Sequence, residues 1–294
     1  MPDSNLRISS AIPFEFQLVA APADLAELVN TFFVIETHRG RIDEILPAYS
    51  AQFLIYVSGN GSLRPANGPA YQSETVNLTA PLLSAVPCTI YGPARIVGAS
   101  LTPLGWQCLA NMPADEVNNC AVQSSRVLSR SELERFESLV QGARDGTVTK
   151  QAIFAAIGDT VRVRRHLLNP EHIRFVAKVT AWLGGSLNPS LDELYRNVGV
   201  SQRTAQRLCR RYFGVSPSRL AKRFRAIRAA MLLANPTLSD EIRNEIVSAY
   251  FDQAHLIRDI RRYTGRTPGG LKEESFVQDT FDPDAHGSSA RILR

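Results

Sequence analysis

The sequence predicts an α+β chain, in which a β-rich barrel or sandwich is followed by an all-α domain with two helix-turn-helix units joined by a long helix. Three observations predict this order. Short runs rich in Val, Ile, Phe and Tyr occupy the first third of the chain, and apolar residues at helical spacing follow after Pro113. Near the C-terminus, RRYFGVSP at 210–217 and RRYTGRTP at 261–268 form an internal repeat.

The β-rich part contains five runs whose composition predicts strands, separated by turn residues such as those at 58–61. These runs are FQLVA, TFFVIETH, AQFLIYVSG, TVNLTA and ARIVGASL. Their spacing favours an antiparallel sandwich or barrel, and DLAELVN at 24–30 predicts a short helical start. After this part, Ser131 and Glu134 predict a capping box at the start of an amphipathic helix.

The helical part begins with an apolar stripe that ends at a pair of glycines. The members of this stripe are Ile173, Val176, Ala177, Val179 and Leu183. Ser190, with Glu193 in a capping box, predicts the start of the next short helix, and Ser201 predicts the start of the one after it. The two helices meet at Gly199, and this spacing is typical of a helix-turn-helix unit.

A second unit of the same kind follows a long helix. Ser216 and Pro217 predict the start of the long helix, Asn235 predicts its end, and Ser239 caps the helix that follows. In both copies of the repeat, a Gly stands two positions after the Tyr and predicts a left-handed C-terminal cap. The repeat therefore predicts the end of one recognition helix in each unit.

Charge is distributed unevenly along the chain. Residues 1–161 carry 10 Lys and Arg against 15 Asp and Glu, whereas residues 162–275 carry 21 against 10. Such an excess of positive charge in one half is typical of domains that bind a polyanion. Solubility alone is the plainer explanation, but it does not require this asymmetry.

The four cysteines and five histidines are scattered, and no two of them stand at a short metal-ligand spacing. We therefore expect reduced cysteines, no metal site and no cofactor. No run reaches the roughly 18 apolar residues of a membrane span, and no charged leader precedes an apolar run at the N-terminus. These features predict a cytoplasmic protein that does not enter a membrane.

The C-terminal part resembles the AraC family of bacterial transcription regulators. The resemblance runs from about Ile173 to Lys272 and includes YFG at 212–214 and FDQAHLIRDIRRYTGRTP in the second unit. It implies a domain that binds double-stranded DNA, with two recognition helices in successive turns of the major groove, about 34 Å apart. The chain departs from the family at Glu245 and Ala249, where a small residue and a Gly are usual.

The first part is similar to the cupin-like sensory domains that precede this module in some members of the family. The similarity lies in EILPAYSAQFLIYVSG and IVGASLTPLGWQCLANMPADEV. It implies a ligand-sensing and dimerisation domain at 1–165 before the DNA-binding domain at 166–275. The polar, Gly- and Ser-bearing segment at 276–294 predicts a disordered tail.

Helical spacing places polar side chains on one face of each recognition helix. Arg can bind guanine and Gln can bind adenine through two hydrogen bonds, and Arg also binds phosphate. The predicted DNA-binding residues are Ser201, Gln202, Arg203, Gln206, Arg207, Arg210, Arg211, Gln253, His255, Arg258, Arg261 and Arg262. Arg211 and Arg262, together with Arg266, are expected to bind phosphates, and His255 is either a DNA contact or a packed residue.

Two kinds of small-molecule effector remain open. An aromatic or other organic effector would use Tyr56 and Trp106, although aromatic residues in strands are more often plain core. An anionic nucleotide or phosphate would use arginines near the domain boundary, although these are otherwise solvated charges. These arginines are Arg126, Arg130, Arg162, Arg164 and Arg165.

The sequence thus favours a ligand-responsive transcription regulator, with RNA polymerase and a second copy of the chain as possible partners. Whether it is an activator or a repressor depends on promoter geometry and stays open. The alternative is a constitutive DNA-binding protein whose first domain only dimerises. A cupin-type enzyme is disfavoured, because His38 is the only histidine before His166 and cannot form a metal-binding cluster alone. No catalytic residue is predicted.

Overall fold

The computed structural model describes residues 7–9, 14–66, 69–235 and 237–271, so the predicted tail at 276–294 lies outside the described residues. Within those ranges, nine strands form one antiparallel sheet and there are ten α-helices, all of which come after β8. This confirms the predicted order of a β-rich part before a helical part. The strands are β1 (Arg7–Ser9), β2 (Glu15–Ala20), β3 (Val29–Thr37), β4 (Arg41–Leu46), β5 (Ala51–Leu63), β6 (Tyr71–Gln72), β7 (Val76–Thr79), β8 (Val86–Leu101) and β9 (Ala121–Val122).

Strands β5 and β8 form the centre of the sheet, whose order is β1-β2-β3-β8-β5-β7-β9. One edge of β8 pairs with β4 along its first half and with β3 along its second half. The sheet bends between these two halves, and its inner face packs on itself. The buried apolar side chains of this inner face include Phe16, Phe33, Ile42, Ile90 and Ile96.

Two local predictions in the β-rich part are wrong. The residues at 58–61 do not form a turn, because β5 continues to Leu63 and shifts its register with β8 at Ser58. Small residues there accommodate a bulge, and Gly59 has a φ of 70°. In the segment at 24–30, residues 24–28 form successive turns rather than a helix, and residues 29 and 30 already belong to β3, where Val29 pairs with β8.

The helices begin directly after β8. They are α1 (Pro103–Ala110), α2 (Ala114–Val117), α3 (Arg130–Arg144), α4 (Lys150–Arg162), α5 (Pro170–Gly185), α6 (Leu191–Asn197), α7 (Gln202–Phe213), α8 (Pro217–Ala234), α9 (Asp240–Ser248) and α10 (Gln253–Thr264), with 3₁₀ turns at Ser124–Arg126 and Arg165–Leu167. The two helix-turn-helix units are α6–α7 and α9–α10, and α8 joins them.

Helix capping differs from the prediction in two places. The capping box of α3 is formed by Ser129 and Glu132, two residues before the predicted pair. Ser190 stands at the N-cap of α6 as predicted, but its side chain makes no capping hydrogen bond. The local patterns indicated the helices correctly, whereas the hydrogen bonds at their ends depend on the final backbone geometry.

The apolar stripe of α5 is also shifted, because Ala177 is exposed and aromatic residues take part. Its buried members are Phe175, Val176, Val179, Trp182 and Leu183. These residues join one large core that extends from Phe53 in β5 to Leu220 in α8. The core therefore crosses the predicted boundary at 165, and that boundary remains a prediction.

Candidate nucleic-acid interface and ligand cavities

The first recognition helix, α7, has one buried face and one polar face. Its start is capped by Ser201, whose hydroxyl accepts a hydrogen bond from the Thr204 N–H at 3.2 Å. Leu208 and Tyr212 anchor the buried face in the core. The opposite face exposes Gln202, Arg203, Arg207 and Arg210, with Gln206 half-buried beside them.

The second recognition helix, α10, repeats this arrangement. Its start is capped by Asp252, whose carboxylate accepts a hydrogen bond from the His255 N–H at 2.6 Å. Leu256, Ile260 and Tyr263 are buried. The exposed polar residues are Gln253, Arg258, Arg261 and Arg262.

His255 belongs only partly to the exposed face of α10. Its Nε2 atom lies 3.3 Å from a carboxylate oxygen of Asp259, and its ring packs edge-on against Tyr250 with centroids 5.4 Å apart. The half-buried imidazole is therefore engaged within the second unit. Of the two alternatives left open by the sequence, these contacts match a packed residue.

Both recognition helices end at a left-handed glycine that contacts the β-rich part. Gly214 has a φ of 78° and Gly265 a φ of 76°, as the repeat predicts. A Cβ atom at Gly265 would collide with the side chain of Ile45. The Tyr263 carbonyl also accepts a hydrogen bond from the Ala48 N–H at 2.6 Å. The β-rich part thus holds the C-terminal end of α10.

Two residues predicted to bind phosphates face the β-rich part instead. Arg211 is half-buried and donates a hydrogen bond to the Asn111 side chain at 3.2 Å. Arg266 forms an ion pair with Glu44 at the end of β4. In this arrangement both guanidinium groups are engaged within the protein, because the ends of the recognition helices dock on the β-rich part. We therefore exclude Arg266 from the candidate interface, whereas the phosphate contact of Arg211, whose bond to Asn111 is exposed, stays a prediction.

The unusual residues of the second unit fit its structure. Ala249 has a φ of −73°, which is a right-handed conformation that requires no Gly. Glu245 is exposed, so its length causes no clash in the interior. The Ala249 carbonyl accepts a hydrogen bond from Arg225 of α8 at 3.0 Å.

Arg225 is a structural residue that the sequence patterns did not single out. Its guanidinium lies over the Tyr250 ring at 4.4 Å and within 3.8 Å of the Asp259 carboxylate. All three side chains are mostly buried between α8, α9 and α10. Arg225 therefore connects the joining helix to the second unit, and no spacing rule predicts this cluster because its members come from three helices.

The bent sheet encloses an apolar cavity of about 130 Å³. Phe33, Leu54 and Ile96 contribute apolar wall, and Tyr56 and Ser62 contribute hydroxyl groups. Burial raises the pKa of the lining Cys88 thiol to about 12, so this group is uncharged at neutral pH. No Asp, Glu, Lys, Arg or His belongs to the part of the lining that the structure describes.

Trp106 does not line this cavity. Its side chain is fully buried in the core on the helical side of the sheet, where its indole N–H donates to the Met112 carbonyl at 3.0 Å. The prediction of Trp106 as a ligand contact is therefore wrong for this cavity. Tyr56, in contrast, lies in the wall as predicted.

The arginines predicted to bind an anion are mostly neutralised by carboxylates. Arg164 makes two hydrogen bonds to Glu132, at 2.7 and 2.8 Å, and this pairing is the main cause that lowers the pKa of Glu132 to about 2. The other pairs are Arg130 with Glu134, Arg162 with Asp24 and Asp159, and Arg165 with Glu27. Arg126 is exposed. These pairings do not support an anion site at these arginines, and that site stays a prediction.

The described part of the chain shows no group of three or more His, Cys, Asp and Glu residues placed to hold a metal ion. Its four cysteines are free thiols. Among the helices described, none combines the length and the apolar character that crossing a membrane requires.

Comparison with known proteins gives one match in sequence and several in structure. A family model described as a helix-turn-helix domain matches residues 194–274. No curated protein matches the chain. Structures of ToxT from Vibrio cholerae O395 are similar at a TM-score of 0.42 and 9% identity, covering 80% of this chain and 98% of ToxT.

Two further structures belong to the same comparison. ToxT bound to (E)-4-(8-methylnaphthalen-1-yl)but-3-enoic acid has a TM-score of 0.42 at 8% identity and covers 80% of this chain and 99% of that one. The AraC-like transcriptional activator CuxR has a TM-score of 0.33 at 14% identity, covering 76% and 85%. At TM-scores below 0.5, these similarities support no conclusion about ligands or partners.

Proposed function

We propose that this chain, which carries an AraC-type helix-turn-helix domain at residues 194–274, is a sequence-specific DNA-binding transcription regulator. The observation that supports this function most directly is the repeated geometry of α7 and α10. Each helix is capped by a polar side chain, anchored by an apolar face and exposed along a face of Arg and Gln. Such a face suits the edges of bases in the major groove.

The exposed side chains differ in the roles that we propose for them. Gln202, Arg203 and Arg207, with the half-buried Gln206, are proposed to contact base edges from α7, whereas Gln253 and Arg258 do so from α10. The Ser201 hydroxyl is proposed to combine its capping bond with a phosphate contact. Arg210, Arg261 and Arg262 stand nearer the helix ends and are proposed to bind phosphates.

The apolar cavity is proposed to receive the effector that controls this regulator. Its wall contains Tyr56 and several polar groups within a largely apolar surface, which is the usual composition of a small-molecule site. Because the described lining carries no charge, the part of the effector held here is proposed to be uncharged. Homodimer formation and contact with RNA polymerase remain predictions, and the choice between activation and repression depends on promoter geometry.

Selection from random-sequence duplexes tests DNA binding directly. We expect the full chain to enrich a site that spans about two helical turns, with one half-site for each recognition helix. Binding should weaken steeply as salt concentration rises, because phosphate contacts release counterions. The double substitution Arg207→Ala with Arg258→Ala should abolish enrichment, whereas the exposed Arg130→Ala should not.

Two results of this experiment would contradict the proposal. One is a wild-type chain that enriches no sequence above the starting pool at low salt. The other is a double variant that loses affinity equally for the selected site and for random DNA, since that behaviour indicates phosphate contact without base recognition.

A further inference from the structure

The surface of the second unit carries an aromatic ring that is almost fully exposed. Phe251 is 94% exposed, and the next highest value among the large apolar residues of the described chain is 63%, at Leu167. The other members of this exposed set are Val163, Val200, Ile242 and Val247. Single exposed apolar side chains are common on proteins, so the exposure of Phe251 becomes informative only through its position in the second unit.

Phe251 and Val200 occupy equivalent positions in the two units. The two copies of the internal repeat begin at 210 and 261, and the same offset of 51 residues aligns Val200 with Phe251. Each of them stands directly before the residue that caps its recognition helix, Ser201 for α7 and Asp252 for α10. Both units therefore expose an apolar side chain at the start of the recognition helix, and the one in the second unit is larger and more exposed.

Phe251 does not take the structural role that is usual for an apolar residue before a helix cap. In a hydrophobic staple, such a residue packs against the fourth residue of the helix, which is Leu256 in α10. Leu256 is buried in the core of the second unit, whereas the Phe251 ring is open to solvent. The ring therefore contributes little to the packing of the second unit, and its presence there is not explained by folding.

The backbone that carries the ring is anchored on both sides. Before it, Tyr250 is buried, and the Arg225 guanidinium lies over its ring at 4.4 Å. After it, the Asp252 carboxylate accepts the capping hydrogen bond from the His255 N–H at 2.6 Å. The exposed ring is thus presented from a defined position, and a side chain that is positioned before binding loses less conformational freedom when a partner arrives.

The surroundings of the ring fit DNA as its partner. Phe251 is followed after one residue by Gln253, and Gln253 and Arg258 are exposed on α10. Residues 162–275 carry 21 Lys and Arg against 10 Asp and Glu, so the charge of this part of the chain complements a polyanion. In helix-turn-helix proteins, the base edges are contacted by the N-terminal residues of the recognition helix, which is the end where Phe251 stands.

We infer that Phe251 contacts the C5-methyl group of a thymine in the second half-site, so that the second unit prefers T at the base pair facing the start of α10. The thymine methyl is the apolar group among the base edges of the major groove, and phenylalanine is one of the side chains that suit it. Val200 takes the same place in the first half-site with a smaller side chain that is 37% exposed, so the preference there is weaker. This inference deepens the function proposed above and rests on it.

Replacing single thymines by deoxyuridine in the selected site tests the inference, because this change removes the methyl group and keeps the base pairing. In the half-site assigned to α10, we expect one such replacement to weaken binding of the full wild-type chain about three- to fivefold, the effect of one methyl group left in water. Phe251→Ala should lose a similar factor on the normal site, become insensitive to that replacement and keep the wild-type salt dependence. Phe251→Leu should keep the response to the methyl group, and Val163→Ala, an exposed apolar residue outside both units, should behave as wild type.

Several results would overturn the inference and leave the proposed function standing. One is a wild-type chain that binds its selected site equally well after every uracil replacement, a measurement that needs no variant to fold. Another is a uracil effect of the same size in wild type and Phe251→Ala. Unchanged DNA affinity of Phe251→Ala with a loss of regulated transcription would assign the ring to a protein partner instead. A chain that selects no DNA sequence at all would contradict the proposed function and this inference together.

Discussion

The two helix-turn-helix units share a local sequence but lie in different surroundings. In the first unit, Leu194, Leu208 and Tyr212 belong to the same apolar core as Phe53 of the sheet. The buried residues of the second unit form a separate cluster with α8. Among the described residues, Ala48 is the buried residue that the β-rich part adds to this cluster. The first unit therefore shares the main core, whereas the second unit has a core of its own and is attached to the rest of the protein through α8.

Several contacts between the second unit and the β-rich part are polar. They include the ion pair of Arg266 with Glu44 and two backbone hydrogen bonds from Ala48 and Ala85, whereas Ala48 is the buried apolar residue that the β-rich part adds to the second-unit cluster. Phe251, in the turn of the second unit, is 94% exposed. Apolar burial supplies most of the stability of a folded unit, so we expect the second unit to separate from the rest more easily than the first. The comparison shows that two copies of one local motif can be held by different cores, and we expect the copy outside the main core to be released more easily.

The largest expected effect comes from Arg225→Met, which leaves Asp259 buried with only His255 beside it. Breaking such a pair costs about 3–5 kcal/mol of folding free energy. We expect the second unit to unfold first in this variant, while the amides of the first unit stay protected from hydrogen exchange. Amide hydrogen exchange in α7 and in α10 measures the two outcomes. Arg258→Met, on the exposed face of α10, is the control. Equal loss of protection in the two helices would show that the units are not separate.

Core truncation compares the units directly. Leu208→Ala and Ile260→Ala each remove buried methyl groups and should cost about 2–5 kcal/mol. We expect Leu208→Ala to lower the main calorimetric transition, because its side chain belongs to the main core. Ile260→Ala should instead create or lower a separate early transition. A single common transition in both variants would refute the proposed independence of the second unit.

Substitutions on the exposed faces of α7 and α10 should have a smaller effect, a loss of DNA affinity that differs between the two half-sites. Arg207→Ala should cost about 1–3 kcal/mol on a selected site and relax the preference at one position of the first half-site. Arg258→Ala should do the same in the second half-site. Arg262→Ala should weaken all sequences alike and reduce the salt dependence. Gel-shift titrations at two salt concentrations distinguish these outcomes, and a loss in the wrong half-site would contradict the assignment of helices.

The smallest expected effect is that of Glu44→Gln, which removes the ion pair with Arg266 at the β-rich part. The loss should be about 1 kcal/mol although the pair is mostly buried, because the Gln amide oxygen can still accept a hydrogen bond from Arg266. We expect faster exchange in α10 and unchanged exchange in α7. Glu36→Gln changes a more exposed ion pair with Arg95, away from both units, and serves as the control. Faster exchange in both helices would show that this contact does not act on the second unit alone.

Much of the fold could be predicted from sequence because its signals are local. The glycines at 214 and 265 and the caps at Ser201 and Ser239 lie where the patterns place them. The predicted turn at 58–61 was wrong because the same small residues suit a bulge, and the choice depends on pairing with the distant strand β8. Composition alone cannot distinguish these two uses.

The candidate interface was predictable for the same reason, and the ligand sites were not. Helical spacing alone places Arg203, Arg207 and Arg210 on one face, since the face depends only on the period of the helix. Arg164 was predicted to bind an anion, but whether an arginine is paired depends on carboxylates far along the chain, here Glu132. Trp106 was predicted to contact a ligand, but it lies in the main core, because the path of the chain from β8 into α1 decides on which side of the sheet its side chain packs.

The sequence by itself determined the order of elements, the two recognition helices and their charged faces, because these follow from residue type and short-range spacing. Only the tertiary structure decided which arginines pair with distant carboxylates, which helix-turn-helix unit shares the main core, and where the sheet encloses a cavity. Those properties arise from contacts between residues far apart in the chain, and such contacts leave no periodic trace in one sequence.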